Sequence, residues 1–312
     1  MSNSDTKAQT TGTHAPLAPV GAATWPSCDD AALLALLRED VPFGDLTTSA
    51  LGLAGRAAEA TFSARGAMVV CGVEESARLF QLCGASCSIL RPSGASAAAG
   101  DILLTVAGEA PALLMAWKTA QTLCEALSGI ASAARQIVDA LHDAGFDLPL
   151  ACTRKNFPGT RALAAKAVRS GGAVMHRLGL SETLLVFPEH RAFIDPVQLA
   201  GTIARLKRQQ PEKRLVVEVG TADEALAMAM AGADVLQLER FSPEQLSGLR
   251  ASLSSSGLHP LLAPAGGVTL ANALAYARAG ADFLVSSAPY FAPPADIRVR
   301  IGPPSLQPGS AR

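Results

Sequence analysis

The chain has 312 residues, of which 49% are hydrophobic and 17% are charged, a balance typical of a folded globular protein with one large or two medium domains. The formal net charge of −1 gives no general attraction to nucleic acid or to an anionic membrane surface. No run of about 20 uninterrupted apolar residues predicts a membrane span. Any anion-binding function must therefore come from local clusters of arginine and lysine.

The first 26 residues are rich in Ser, Thr, Ala and Pro and lack the apolar core of a signal peptide, so we expect a flexible tail on a cytoplasmic protein. A helix is expected from Asp29 to about Glu39, capped by Ser27 or Asp29. Four strand-like runs then surround one helix, which predicts a small α+β domain over 27–130, with a sheet covered by helices on one side. Two helices, near 111–127 and 131–144, are expected on either side of Ser128-Gly129.

From Pro149 onward, short apolar strands alternate with helices. The expected strands are 148–152, 215–219, 235–238, 261–263 and 283–285. At least five such βα units predict a parallel, closed or nearly closed barrel over 131–301, followed by a tail over 302–312. No G-x-G-x-x-G fingerprint follows a strand, which disfavours a dinucleotide-binding fold.

Polar residues follow the predicted barrel strands where an active site is expected, at the carboxyl ends of the strands. These positions are Thr153-Arg154-Lys155, Glu218, Glu239, Ala265-Gly266-Gly267 and Ser286-Ser287. A diglycine turn that leads into a helix predicts a phosphate cradle, with the two serine hydroxyls beside it. Two carboxylates are suited to Mg²⁺ that also binds phosphate oxygens. Taken singly, Glu218 could be the ion-pair partner of Arg154 or Lys155. Gly266-Gly267 could be a simple turn between a strand and a helix.

Four cations lie within one βα segment: Arg154, Lys155, Arg161 and Arg177. They would repel one another without a bound anion, which predicts an anion-binding site. His190 fits either a structural hydrogen bond or a catalytic role.

These motifs together resemble the quinolinate phosphoribosyltransferase (nicotinate-nucleotide pyrophosphorylase) superfamily, and within it the ModD branch, the pyrophosphorylases of molybdenum transport operons. The resemblance covers about 31–301. It is carried by Glu39-Asp40 with Gly44-Asp45-Leu46-Thr47-Thr48, Ser128-Gly129-Ile130-Ala131, Thr153-Arg154-Lys155 with Pro158-Gly159, and Gly171-Gly172 with His176-Arg177.

The resemblance implies a type II phosphoribosyltransferase fold, with an N-terminal open-faced α/β sandwich and a C-terminal incomplete α/β barrel. It also implies a homodimer with shared active sites, and 5-phosphoribosyl 1-pyrophosphate with Mg²⁺ as the donor. Carried over by position, Arg154, His176 and Arg177 would contact the acceptor's carboxylate, and Lys155 would lie between acceptor and pyrophosphate. Glu218 and Glu239 would face the ribose and metal, and Gly266, Gly267 and Ser286 the 5-phosphate.

Three departures from the family pattern concern the acceptor. Trp117-Lys118 stands where the family has Glu-Arg, Phe187 replaces an acceptor-binding lysine, and Leu238-Glu239-Arg240 replaces Leu-Asp-Asn. Lys118 keeps the charge of the partner-derived arginine without its planar fork. Loss of one cation favours an acceptor less anionic than quinolinate, because unpaired buried charge is costly.

The leading hypothesis is therefore a phosphoribosyltransferase of the ModD branch that uses a nitrogen heterocycle and releases pyrophosphate, with Lys155, Glu218 and Glu239 in the catalytic roles. One alternative is a quinolinate enzyme of NAD biosynthesis that releases carbon dioxide. The other is a non-catalytic protein that binds a nucleotide or an oxyanion. None of the three involves nucleic acid.

Overall fold

The computed structural model describes residues 27–304, and the tails expected at 1–26 and beyond 304 lie outside them. The N-terminal half contains four helices and five strands. The helices are α1 Asp30–Asp40, α2 Leu46–Ala50, α3 Val73–Leu82 and α4 Ala110–Asp143. The strands are β1 Ala57–Ala64, β2 Met68–Val69, β3 Ser86–Ile89, β4 Ser96–Ala97 and β5 Ile102–Glu109.

The C-terminal half supplies the barrel and ends in a strand that joins the N-terminal sheet. Its strands are β6 Leu150–Cys152, β7 Val174–Met175, β8 Leu184–Val186, β9 Leu215–Val219, β10 Val235–Glu239, β11 Leu261–Ala265, β12 Leu284–Ser286 and β13 Ile297–Gly302. Its helices are α5 Arg161–Ser170, α6 Pro188–Arg191, α7 Pro196–Gln209, α8 Ala222–Met230, α9 Pro243–Ser255 and α10 Ala273–Arg278, with a 3-10 helix at Ala288–Phe291. Strands β7 and β8, of two and three residues, are not among the strands that the sequence predicts.

The N-terminal sheet is antiparallel, in the order β13-β1-β5-β3. Strand β13 pairs with β1 over six residue pairs, from Glu59↔Gly302 to Ala64↔Ile297. This corrects the predicted division of the chain: the last residues of the range 131–301, and Gly302 of the expected tail, belong to the N-terminal sheet. Nothing in the local sequence marks this return, which depends on a partner strand more than 230 residues earlier.

Helix α4 is one helix of 34 residues, not the expected two. Residue 130, the predicted domain boundary, therefore lies inside a helix. Gly129 does not break this helix; a Cβ at this position would overlap the carbonyl oxygen of Pro293. The glycine allows close backbone approach between α4 and the segment that leads to β13.

A buried ion cluster joins the two halves. Lys166 of α5 donates to Glu74 at 2.8 Å and to Glu75 at 2.7 and 2.9 Å, and both carboxylates belong to α3. All three residues are at most 5% exposed. Ser93 also donates to Glu74, and Ser27 to Glu75, so each carboxylate has several donors.

The barrel is incomplete, as the family resemblance implies, whereas the strand pattern alone predicts a closed or nearly closed one. Its parallel strands form two groups, β12-β6-β7 and β8-β9-β10-β11. Alternate residues of each strand face the interior. The interior is lined by Leu185, Val216, Val235, Ala263, Ala265 and Val285. The intervening residues, such as Val217 and Leu236, pack outward against the helices.

Within residues 27–304, no helix combines the length and the apolar character that a membrane crossing requires.

Candidate active site

The segment after β6 carries Arg154 and Lys155, and hydrogen bonds fix its start. The Thr153 amide donates to the Ser286 carbonyl at 3.0 Å, and the Tyr290 hydroxyl donates to the Thr153 carbonyl at 2.7 Å. Arg154 is half-buried and Lys155 is exposed. The two cations therefore start from a backbone that β12 and the 3-10 helix hold in place.

His176 and Arg177 follow β7, and the His176 amide donates to the Cys152 carbonyl at 2.8 Å. Arg177 is only 6% exposed. Burial lowers the pKa of the Arg177 guanidinium, and the nearby charge of Arg154 lowers it further. Burial, and then the charge of Arg177, lower the pKa of His176, which keeps that imidazole neutral at physiological pH. The structure thus brings Arg154, His176 and Arg177 together.

Glu218 and Glu239 lie at the carboxyl ends of β9 and β10 on the interior face. Burial raises the pKa of the Glu218 carboxyl, and the charge of Glu239 raises it further. A hydrogen bond from Gln237 and the charge of Lys155 act in the opposite direction. The charges of Glu239 and Lys155 therefore both act on Glu218, and these are the three predicted catalytic residues.

The diglycine turn after β11 lies against Glu239. Gly266 and Gly267 have φ values of 76° and 104°, which favour glycine. A Cβ on Gly266 would overlap the Glu239 carboxylate, so the turn makes room for that side chain. Helix α10 begins at Ala273, and the turn before it is closed by a 2.9 Å hydrogen bond from the side-chain amide of Asn272 to the Gly267 carbonyl. The phosphate cradle at the two glycines stays a prediction.

The two serines after β12 differ. The buried Ser286 hydroxyl donates to the Val268 carbonyl at 2.6 Å and accepts from the Ala288 amide at 3.0 Å. Its proton is committed to the fold, so it is not available to donate to a phosphate. Ser287 is half-buried, and its hydroxyl has no hydrogen-bond partner among residues 27–304.

The two other singled-out cations, Lys118 and Arg161, are exposed. Lys118 is exposed on α4, where it contacts Gln121 at 3.2 Å and the Trp117 ring at 5.3 Å. Arg161 is exposed at the start of α5. Within one chain, the structure does not place Lys118 with the barrel residues.

Three further residues lie near the site, of which Gln237 and Tyr290 are not predicted by the sequence analysis. Gln237 is buried two positions before Glu239 and donates to Glu218 Oε2 at 2.5 Å. Tyr290 holds the Thr153 carbonyl, as above. Phe187 packs on the interior residues of the barrel. The period of two along β10 would have placed Gln237 on the same face as Glu239.

The His190 side chain makes contacts with Phe187. Its Nδ1 accepts a hydrogen bond from the Phe187 amide at 3.0 Å, and its ring stacks on the Phe187 ring with centroids 5.8 Å apart. His190 therefore makes a structural hydrogen bond and helps to orient the Phe187 ring.

Family models of quinolinate phosphoribosyl transferase match the chain in two parts, the C-terminal domain over residues 130–300 and the N-terminal domain over 45–128. A protein named pyrophosphorylase ModD from Rhodobacter capsulatus is 51% identical over 82% of this chain and 98% of its own length. A nicotinate-nucleotide pyrophosphorylase [carboxylating] from Synechocystis is 34% identical over 81% of this chain and 85% of its own length.

Solved structures agree. A NadC deletion mutant superposes with a TM-score of 0.81 at 26% identity, covering 88% of this chain and 97% of the other. NadC from Streptococcus pyogenes has a TM-score of 0.79 at 27% identity, covering 88% and 96%. The two family models, the relatives and the open barrel agree, and the chain belongs to the quinolinate phosphoribosyltransferase family.

Proposed function

We propose that this protein transfers the phosphoribosyl group of 5-phosphoribosyl 1-pyrophosphate to a ring nitrogen of a heterocyclic acceptor, with release of pyrophosphate. The observation that carries the proposal is the grouping of Arg154, Arg177 and Lys155 with Glu218 and Glu239 at one end of the barrel. Cations there can bind phosphoryl and carboxylate groups, and the carboxylates can face a sugar that becomes positively charged. Family membership supports the same reaction type.

The chemistry is a displacement at the sugar C1. The acceptor nitrogen donates its lone pair to form the new C1–N bond, while the C1–O bond breaks and its electron pair leaves with pyrophosphate. Glu218 and Glu239 stabilise the positive charge that develops on the sugar, and Lys155 stabilises the departing oxygen. One such contact is worth on the order of 10²–10³ in rate.

Mg²⁺ is the metal that we propose for the site, because the residues present fit it. The charge of Glu239 raises the pKa of Glu218, and a bound cation relieves such repulsion between neighbouring carboxylates. No group of three or more His, Cys, Asp or Glu residues within 27–304 could hold a metal ion. Mg²⁺ commonly takes one or two carboxylates together with phosphate oxygens and water. Bound there, it supplies charge that neutralises the leaving pyrophosphate.

We further propose a homodimer with shared sites, in the cytoplasm. Lys118 lies on α4 away from the barrel residues of its own chain, so it can join a site only from a second copy. The suggested connection with molybdenum metabolism remains a prediction from the resemblance. The ModD relative is more similar to this chain than the nicotinate-nucleotide pyrophosphorylase, at 51% against 34% identity, which favours the ModD branch over an enzyme of NAD biosynthesis.

The test is incubation of the full-length protein with the donor, Mg²⁺ and a small-molecule extract of cells, with pyrophosphate followed by ³¹P NMR. We expect acceptor-dependent release of pyrophosphate. A parallel incubation with quinolinate identifies the NAD alternative if nicotinate mononucleotide and carbon dioxide form. Ligand binding by calorimetry without pyrophosphate release under any of these conditions would support the non-catalytic alternative and overturn the proposal.

A further inference from the structure

Arg240, which follows Glu239 at the end of β10, has a backbone conformation that side chains other than glycine rarely adopt. Its φ is 57°, and within residues 27–304 it is the one residue besides glycines with a positive φ. Its amide donates to the Ala265 carbonyl at 2.9 Å, which holds this conformation against the end of β11. Asparagine, which the family pattern has here, adopts positive φ more readily than arginine does. The costlier residue at this place points to a function of its side chain.

The Arg240 side chain lies against the diglycine turn. A Cβ on Gly266 would come within 2.9 Å of Arg240 Cγ and would overlap the Glu239 carboxylate. The glycine therefore leaves room for both side chains. The Arg240 side chain is 84% exposed, and its Nε lies 3.6 Å from Glu239 Oε1, which is an ion pair too long for a hydrogen bond. Within residues 27–304 the guanidinium makes no hydrogen bond, so its N–H groups can donate to a ligand.

The backbone beside this guanidinium is also open to a ligand. Apart from its chain neighbours, no atom lies within 4 Å of the position that a Cβ on Gly267 would take. The backbone amides of Gly266 and Gly267 donate to no group among the described residues. Amides in a left-handed turn and a planar guanidinium are the kinds of donor that bind phosphoryl oxygens. Glu239 alone would repel an anion at this turn, and the charge of Arg240 offsets that repulsion.

We propose that Arg240 binds a phosphoryl group of the ligand at the turn formed by Gly266 and Gly267, and that Glu239 is its counter-ion until the ligand binds. The left-handed backbone of Arg240 places the side chain beside this turn, and the contact with the phosphoryl group compensates for the conformational cost. Asparagine at this position would supply no charge. The inference rests on the proposed function only in taking the ligand at this end of the barrel to be phosphorylated.

The test is isothermal titration calorimetry on the full-length protein in a buffer with Mg²⁺. Ribose 5-phosphate and inorganic pyrophosphate are titrated separately, because the donor carries phosphoryl groups at both ends of its sugar and the two probes distinguish them. Arg240→Asn should weaken the binding of at least one probe by about tenfold or more, since a charge-assisted contact is lost. Arg240→Lys keeps the charge without the planar guanidinium and should weaken the same probe by only about threefold.

The stability of Arg240→Asn separates this role from a purely structural one. Because asparagine adopts positive φ at a lower cost, the variant should unfold at a higher urea concentration than wild type while it binds the probe less tightly. Weaker binding together with an unchanged or lower urea midpoint would count against the inference, since the turn itself would then depend on arginine.

Arg208→Asn is the matched control, because Arg208 is an exposed arginine in the last turn of α7, which leads to the start of β9. It should leave both affinities unchanged. Unchanged affinities in a folded Arg240→Asn, or a wild type that binds neither probe at millimolar concentration, would overturn the inference. The proposed function is read separately, from pyrophosphate release in the acceptor screen. Binding that depends on Arg240 without such release would overturn the function alone, and release with binding that does not depend on Arg240 would overturn the inference alone.

Discussion

The side-chain amide of Gln237 donates to Oε2 of Glu218 at 2.5 Å, while Oε1 of the same amide is buried without a hydrogen-bond partner among the described residues. Gln237 is 6% exposed, so its buried Oε1 without a hydrogen-bond partner lowers the stability of the fold. The donated hydrogen bond favours the ionised form of Glu218, against burial and the charge of Glu239. Gln237 is thus a positioning residue for a carboxylate that the proposed reaction needs charged.

Gln237→Met should move the acidic limb of the pH–rate profile to higher pH. Methionine keeps the side-chain length but donates no hydrogen bond, so the pKa of Glu218, already raised, rises further. Activity that needs ionised Glu218 is then lost at a higher pH, while the rate at the alkaline plateau changes little. The measurement is pyrophosphate release across pH. The exposed Gln198→Met is the control, and an unshifted limb in Gln237→Met would count against this role.

Lys155→Ala should lower turnover by about 10²–10³ and leave the fold intact. Lys155 is exposed, so its removal should change the free energy of unfolding by no more than about 0.5 kcal/mol. Lys213→Ala removes an equally exposed lysine next to the start of β9, at the opposite end of the barrel from Glu218, and should leave turnover unchanged. Near-normal turnover of Lys155→Ala would remove this lysine from the mechanism.

The barrel could be predicted because its principal strands are short apolar runs that alternate with helices along the chain. Position at the carboxyl end of a strand was enough to find Glu218 and Glu239 together. The sequence does not show that helix α10 begins six residues after Gly267. It also does not show that the Ser286 hydroxyl donates to the Val268 carbonyl, which lies in the loop after β11.

Long-range contacts also account for the two errors in domain organisation. A glycine inside an apolar run indicates a helix break when its surroundings are unknown. At Gly129 the surroundings are the Pro293 carbonyl, 164 positions further along the printed sequence, and only the fold brings them together. The pairing of β13 with β1 likewise joins residues that are far apart in the sequence, so the local sequence does not show it.

Gly129→Ala should destabilise the protein by about 1–3 kcal/mol, because the added methyl group forces α4 and the Pro293 segment apart. Urea denaturation measures the change. Gly248→Ala is the matched control: this glycine also lies in a helix, α9, with open space around its Cα. Alanine there should be neutral or stabilising by up to about 1 kcal/mol. Equal behaviour of the two variants would mean that close approach at Gly129 is not required.

Lys166→Met should lower the free energy of unfolding by about 3–5 kcal/mol, since it leaves Glu74 and Glu75 buried without their cation. Methionine has a similar volume, so the loss reports charge more than packing. Lys207→Met breaks a half-exposed ion pair with Asp234 and should cost no more than about 1 kcal/mol. Urea unfolding of both variants gives the comparison, and a small effect in Lys166→Met would show that the carboxylates find other compensation.

Mixing two inactive variants tests whether Lys118 acts in a partner's site. Lys118→Ala and Lys155→Ala should each be inactive or nearly so, because each lacks one contributor to every site. In a dimer with shared sites, a mixed pair regains one complete site, formed by Lys155 of one copy and Lys118 of the other. Random exchange of equal amounts then makes half of the dimers mixed and should restore about a quarter of wild-type activity per protein. Light scattering confirms the dimer, and the exposed Lys213→Ala mixed with Lys155→Ala, which should keep half of wild-type activity, shows that an inactive subunit does not impair its partner. If Lys118 served its own chain, or no chain, the mixture would show only the average of its components, because no combination of subunits could then assemble a site that neither parent has.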